Sequence, residues 1–135
     1  MERAITVVTD VKDLSDLLHG ASVDQARFVA SGGRLRMELE LTRAMAEQQR
    51  VVRHGMFKRV RTPWVKGRMT LERIQEVTVQ RVGDLGPDEF PLFACEAVPG
   101  GYQVVVTTPD GLRLSLALEQ LSGQFHDVGT PIESP

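Results

Sequence analysis

The stretch Leu35-Arg36-Met37-Glu38-Leu39-Glu40-Leu41 alternates apolar and charged residues at every step. A side-chain period of two belongs to a β-strand, so this segment has one face in an apolar core and the other in water. Residues 112–118 repeat the pattern, with Leu112, Leu114, Leu116 and Leu118 separated by Arg113, Ser115 and Ala117. A slip of one residue would turn either leucine row out into solvent, so these two strands constrain the sidedness of any sheet they join.

Turn chemistry places their neighbours. Ser31-Gly32-Gly33-Arg34 tolerates positive φ and joins residues 22–30 to residues 35–41 as an antiparallel hairpin, with Ala26, Phe28 and Ala30 on one face of the first strand. Pro99-Gly100-Gly101 and Pro109-Asp110-Gly111 divide residues 92–118 into a three-stranded meander. Residues 4–9 read as a short strand, and residues 119–128 as a last edge strand. Residues 68–82 read as strand with a phase slip near Arg73-Ile74, the mark of a bulge or a break. Residues 83–91, with Asp84, Asp88 and Glu89 among glycines and prolines, form an acidic loop. One helix is expected over residues 11–19: Asp10 offers an N-cap, Leu14, Leu17 and Leu18 fall at helical spacing, and Gly20 ends it.

Residues 42–66 resist this reading. Residues 43–50 are good helix formers, with Arg43 and Glu47 at i, i+4, whereas Val52, Met56 and Val60 suit a strand and Pro63 limits either element. Loops of this length without structure are uncommon in compact domains. The expectation is an extended, partly mobile, basic hairpin arm over residues 43–67. The whole predicts a mainly β fold, an antiparallel sandwich or barrel of seven to eight strands. One short N-terminal helix plugs an end or covers an edge. A single domain spans residues 1–129, followed by a flexible tail, residues 130–135.

Charge is distributed unevenly along this frame. Nine of the sixteen Lys and Arg residues lie between Arg43 and Arg73, against only Glu47 and Glu72. From residue 84 onward eight acids face one base, Arg113. A formal charge of −2 therefore conceals a dipolar chain. The pI of about 5.9 argues against nucleic-acid binding by the whole surface and leaves open binding by one face. Cys95 is the only cysteine and lies in the apolar run Leu92-Phe93-Ala94-Cys95, where a buried, inert thiol is expected. No run approaches the roughly 20 apolar residues of a membrane span, and Met1-Glu2-Arg3-Ala4 has no signal-peptide core, so a cytoplasmic location and no membrane partner are expected.

Catalytic and cofactor motifs are absent. The chain has no G-x-x-x-x-G-K-[ST], no G-x-G-x-x-G and no G-x-S-x-G. His19, His54 and His126 lack metal-ligand spacing, and Asp10, Asp13 and Asp16 lack the alternate spacing of a calcium loop. No cofactor or metal is expected.

The basic arm is the candidate site. Arg50, Arg53, Lys58, Arg59, Arg61, Lys66 and Arg68 suit phosphates, and Phe57 and Trp64 suit base stacking. Alternation such as Lys58-Arg59-Val60-Arg61 also suits a plain solvent-facing ribbon, whose charge can answer the acidic half of the same chain or of a second copy. Leu17-Leu18-His19-Gly20-Ala21-Ser22-Val23, followed by a strand, a turn and Leu35-Arg36-Met37-Glu38-Leu39, resembles the opening of small bacterial β-rich domains of unknown function, including some toxin-immunity proteins. Those commonly carry aromatic-His-Asp-Ala before the strand; Leu18 and Gly20 stand here in place of the aromatic and the aspartate. The resemblance implies a non-enzymatic, protein-binding role. The expectation is thus a non-enzymatic interaction domain acting through protein contacts or self-association as a homo-oligomer. The alternatives are a nucleic-acid-binding module using residues 50–68, and a small-ligand carrier or enzyme with a barrel pocket.

Overall fold

A computed structural model of the chain describes residues 2–83, 92–108 and 111–132. Its elements are β1 (Glu2–Ile5), α1 (Val8–Leu17), β2 (Ser22–Ser31), β3 (Arg34–Ala44), a single 3-10 turn (Ala46–Gln48), β4 (Arg50–His54), β5 (Phe57–Arg61), β6 (Trp64–Arg81), β7 (Leu92–Val98), β8 (Gly101–Thr107), β9 (Leu112–Leu118) and β10 (Gly123–Ile132). Eight strands form one antiparallel sheet curled into a half-barrel, and β4 and β5 form a separate two-stranded sheet.

The long strand β6 organises the curl. Along one side it pairs with β3, from Ala44 opposite Trp64 to Leu35 opposite Ile74. Along the other side it pairs first with β10, from Val128 opposite Lys66 to Gly123 opposite Leu71, and then with β9, from Leu118 opposite Ile74 to Leu112 opposite Arg81. So β9 and β10 lie end to end on the same edge, and the sheet forks there into two wings. One wing is β10 and β1; the other is β9, β8 and β7. At the fork Arg73 takes φ +58, the register shifts between Ile74 and Glu76, and the Glu72 amide donates to the Ser122 carbonyl at 2.8 Å. A non-glycine residue in that conformation costs about 1 kcal/mol. The irregularity bends the strand where β9 takes over the edge from β10, which is where the phase slip near Arg73-Ile74 falls.

The alternating rows point where their period requires. Met37, Leu39 and Leu41 of β3, Val65, Met69 and Leu71 of β6, and Leu114, Leu116 and Leu118 of β9 are buried on the concave side. Helix α1 lies over them with Val11, Leu14 and Leu18 inward, follows β1 at one edge of the curl and rests against β7 at the other. The Ser15 hydroxyl accepts the Phe93 amide at 3.2 Å, satisfying a donor of the edge strand β7. The helix therefore covers an edge, and the concave side is filled by side chains.

Gly67 is the one gap in the inward row of β6. A Cβ there would stand 2.7 Å from the ring of Phe125, which lies fully buried across the strand from β10. The absent side chain is what lets β10 pack its aromatic ring over β6.

Several expectations change. The helix begins at Val8, with Val7 as N-cap, because Asp10 sits inside the first turn. Its carboxylate reaches back to accept the amides of Thr6 at 2.9 Å and Val7 at 3.1 Å, which with the Thr6 hydroxyl holds its pKa below the ordinary value. The strand expected over residues 4–9 is accordingly cut to β1. Of the three residues expected on one face of β2, Ala26 and Ala30 are exposed and Phe28 is half-buried, because β2 pairs with β3 alone. β10 is not an edge strand: it lies between β1 and β6, and it continues to Ile132, so residues 130–132, expected in the flexible tail, are strand. Of the two readings open for residues 43–50, the structure takes neither throughout: β3 runs to Ala44, one 3-10 turn covers Ala46–Gln48, and the Met45 amide donates to the Pro63 carbonyl at 2.8 Å. The acidic loop, the Pro109-Asp110 part of its turn and residues 133–135 lie outside the described residues.

Gly67→Ala is expected to destabilise the chain by about 1–3 kcal/mol through overpacking against Phe125. Urea denaturation followed by far-ultraviolet circular dichroism measures this as a lower midpoint with an unchanged slope. An unchanged midpoint would show that the ring has room to move.

Candidate functional site

β3 and β6 are adjacent antiparallel strands, and everything between Ala44 and Trp64 extends from their shared end. The root of the extension is held by a buried ion cluster. Arg43 continues the inward row of β3 after Leu41, and Asp127 continues that of β10 after Phe125. Arg43 is 1% exposed, and its guanidinium donates to both oxygens of Asp127, at 3.0 and 2.8 Å. It also donates to Glu47 in the 3-10 turn, at 2.9 and 3.3 Å. The expected Arg43–Glu47 pair therefore forms, between a strand and a turn rather than along a helix. The bonds to Asp127, then to Glu47, hold the guanidinium charged more firmly than usual against the opposing cost of burial. Glu47 is held below its ordinary value by the Arg43 hydrogen bonds. Burial pushes Asp127 upward, but the hydrogen bonds and positive charge around it, those of Arg43 foremost, leave it below its ordinary value.

Beyond the root stands the ribbon. Arg50 lies opposite Arg61, Val51 opposite Val60, Val52 opposite Arg59, Arg53 opposite Lys58 and His54 opposite Phe57. Directly opposed residues share a face. One face thus carries Arg50, Arg59, Arg61 and Phe57; the other carries Arg53 and Lys58 with Val51 and Val60. Gly55 and Met56 form the two-residue loop, and Gly55 takes φ +61 in its first position, as a type II′ hairpin turn requires. Met56 is 98% exposed and Phe57 79%. Arg53, Lys58 and Arg59 make no hydrogen bond or ion pair among the described residues. From Gln48 to Leu71 the chain has seven Lys or Arg residues and no acid.

Of the nine residues expected at the site, the ribbon gathers Arg50, Arg53, Phe57, Lys58, Arg59 and Arg61. Trp64, Lys66 and Arg68 are not on it. They occupy the outward row of β6: Trp64 is half-buried between Ala44 and Ile132, Lys66 lies between Thr42 and Val128, and Arg68 pairs with Glu40 at 3.3 Å. The reason is that β6 begins directly after Pro63, so the arm is shorter than residues 43–67. The exposed tip residue Met56 and the Arg43–Asp127 anchor carry roles that the sequence reading did not give them. Their signals are a methionine in a two-residue turn and charged residues in the inward phase of alternating strands.

Elsewhere a surface groove of about 540 Å³ is lined by Arg34, Arg36, Glu72, Arg73, Glu119 and Gln120. Each of its arginines has a polar partner, Arg34 with Glu119 at 3.6 Å, Arg36 with Glu38 at 3.1 Å and Arg73 with Gln120 at 3.2 Å, while the buried Arg36 Nε has none among the described residues. Among the described residues no three of His, Cys, Asp and Glu gather as a metal site. Cys95 is half-buried, and burial first, then Glu96, raises its thiol pKa, which keeps it protonated and unreactive. No helix among the described residues is long and apolar enough to cross a membrane. Comparison with protein-family models, curated proteins and solved structures gives no match.

Arg43→Met is expected to lower stability by about 3 kcal/mol, because the Asp127 and Glu47 carboxylates both lose the buried guanidinium that bonds them. Both carboxyls titrate lower in the folded chain than in the unfolded one, so their contribution is full above about pH 5 and is lost as pH falls through the folded values. Denaturation between pH 7 and pH 3 should therefore show a steeper acid-side loss for the wild type than for Arg43→Met. Parallel curves would contradict the linkage.

Proposed function

We propose that this chain is a non-enzymatic binding domain and that its ribbon binds nucleic acid through the phosphate backbone. The observation that carries this reading is the run of five Lys and Arg residues in β4 and β5, projecting from the sheet with no acid between Glu47 and Glu72. A single-sign field along a narrow element matches a polymer of phosphates. The acid-rich remainder of the chain is repelled by the same polymer, so approach is oriented ribbon-first. A two-stranded ribbon standing alone is marginally stable in water, and a partner that bridges its cations adds what the sheet does not supply.

A second reading is favoured by one observation. Val51 and Val60 form an exposed cross-strand pair, 58% and 56% accessible, flanked by Arg53 and Lys58. That face suits the acid-rich half of a second copy, in a dimer held by exchanged ribbons.

Fluorescence anisotropy of a labelled duplex separates the two. If four or five cations each meet a phosphate, log K falls against log salt with a slope of about −4. The double variant Arg53→Glu, Arg59→Glu should bind more than tenfold more weakly, with the slope reduced by about two. Absence of binding at low salt, together with a dimer by light scattering that dissociates in high salt, would replace the nucleic-acid reading with the second one.

A further inference from the structure

We infer that the ribbon tip is a wedge: Met56 and Phe57 insert at a base step of a duplex while the cations behind them hold its phosphates. This rests on the nucleic-acid reading above and extends it to the form of nucleic acid and the mode of contact.

The tip is apolar where everything behind it is basic. Met56 and Phe57 sit at and beside a two-residue turn, the narrowest shape a chain reversal takes, and both are almost fully in water. They make no part of the core. Apolar side chains carried on basic elements are the means by which proteins unstack and kink a duplex.

The placement of charge selects a groove. Cations stand on both faces of the ribbon: Arg50, Arg59 and Arg61 on one, Arg53 and Lys58 on the other. A groove presents two phosphate walls, one to each face. A lipid surface presents one plane, and an element adapted to it separates an apolar face from a charged face. With five residues per strand the ribbon is about 17 Å long, and insertion of an apolar wedge between base steps is made from the minor groove, with the duplex kinked toward the major groove, so the ribbon enters from the minor-groove side. A single strand fits less well, because successive bases require successive aromatic platforms. Phe57 is the ribbon's one aromatic residue, and Trp64 is half-buried in β6. Pyrimidine–purine steps open most easily and are the expected points of insertion.

The test uses the full chain and a short duplex carrying 2-aminopurine at a central T-A step, with a parallel duplex labelled at both ends for energy transfer. Wild-type protein should raise the 2-aminopurine fluorescence as the base unstacks, and should bring the duplex ends closer. Met56→Ser, Phe57→Ser should bind more weakly but with the same salt slope, because the cations are intact, and at saturating protein should lose both signals; Phe57→Trp in the wild-type chain should retain them. The substituted side chains are exposed, so circular dichroism of the variants should match the wild type. Binding with a silent probe and a straight duplex would overturn the wedge and leave the phosphate reading standing. No anisotropy change at low salt would overturn both. Tip-dependent binding to phosphatidylserine vesicles, without a duplex response, would also overturn the wedge and assign the tip to lipid.

Discussion

A buried guanidinium decides how this chain is held together. Arginine cannot shed its proton to escape an apolar site, so Arg43 at the inward end of β3 obliges carboxylates to meet it. Asp127 comes from β10, two strands away, and Glu47 from the turn that starts the ribbon. One side chain thereby fixes three segments: the strand that leads into the ribbon, the strand that packs across β6, and the ribbon's root. Such clusters add modest net stability against an apolar replacement but penalise every arrangement that leaves a charge unmatched. Here the arrangement so selected sets where the ribbon leaves the sheet.

The sheet itself turns on two local features of β6. Gly67 admits the Phe125 ring and brings β10 into contact, and the irregularity at Arg73 redirects the strand so that β9 takes over the edge from β10. The wings that result enclose α1 and the apolar rows. The same construction leaves the basic ribbon as a two-stranded sheet of its own, separate from the eight-stranded one.

Much of this was legible in residue order, for a physical reason. The two leucine rows at residues 35–41 and 112–118 carry a strict period of two, and one buried face leaves such segments a single sidedness. The glycine-containing turns gave the hairpin and the meander, and the slip at Arg73-Ile74 gave the bulge. What failed depended on partners distant in sequence. Arg43 and Asp127 are 84 positions apart, and helix-forming residues around them concealed that the strand continues to Ala44. Asp10 looked like a cap from outside because its reach back to Thr6 is a matter of geometry rather than of type. Trp64, Lys66 and Arg68 were grouped with the ribbon because composition does not show where one strand ends and a longer one begins.

The binding reading joins these points: a filled core and a pinned root present a short basic ribbon with an apolar tip, and the ribbon meets the partner. The most direct test is nitrogen-15 chemical-shift mapping of the full chain titrated with a short duplex at low salt. The expected result is perturbation concentrated at residues 50–61, strongest at Gly55, Met56 and Phe57, with the amides of residues 112–118 unmoved. Shifts centred on the wings, or none at any duplex concentration, would contradict the ribbon as the binding element.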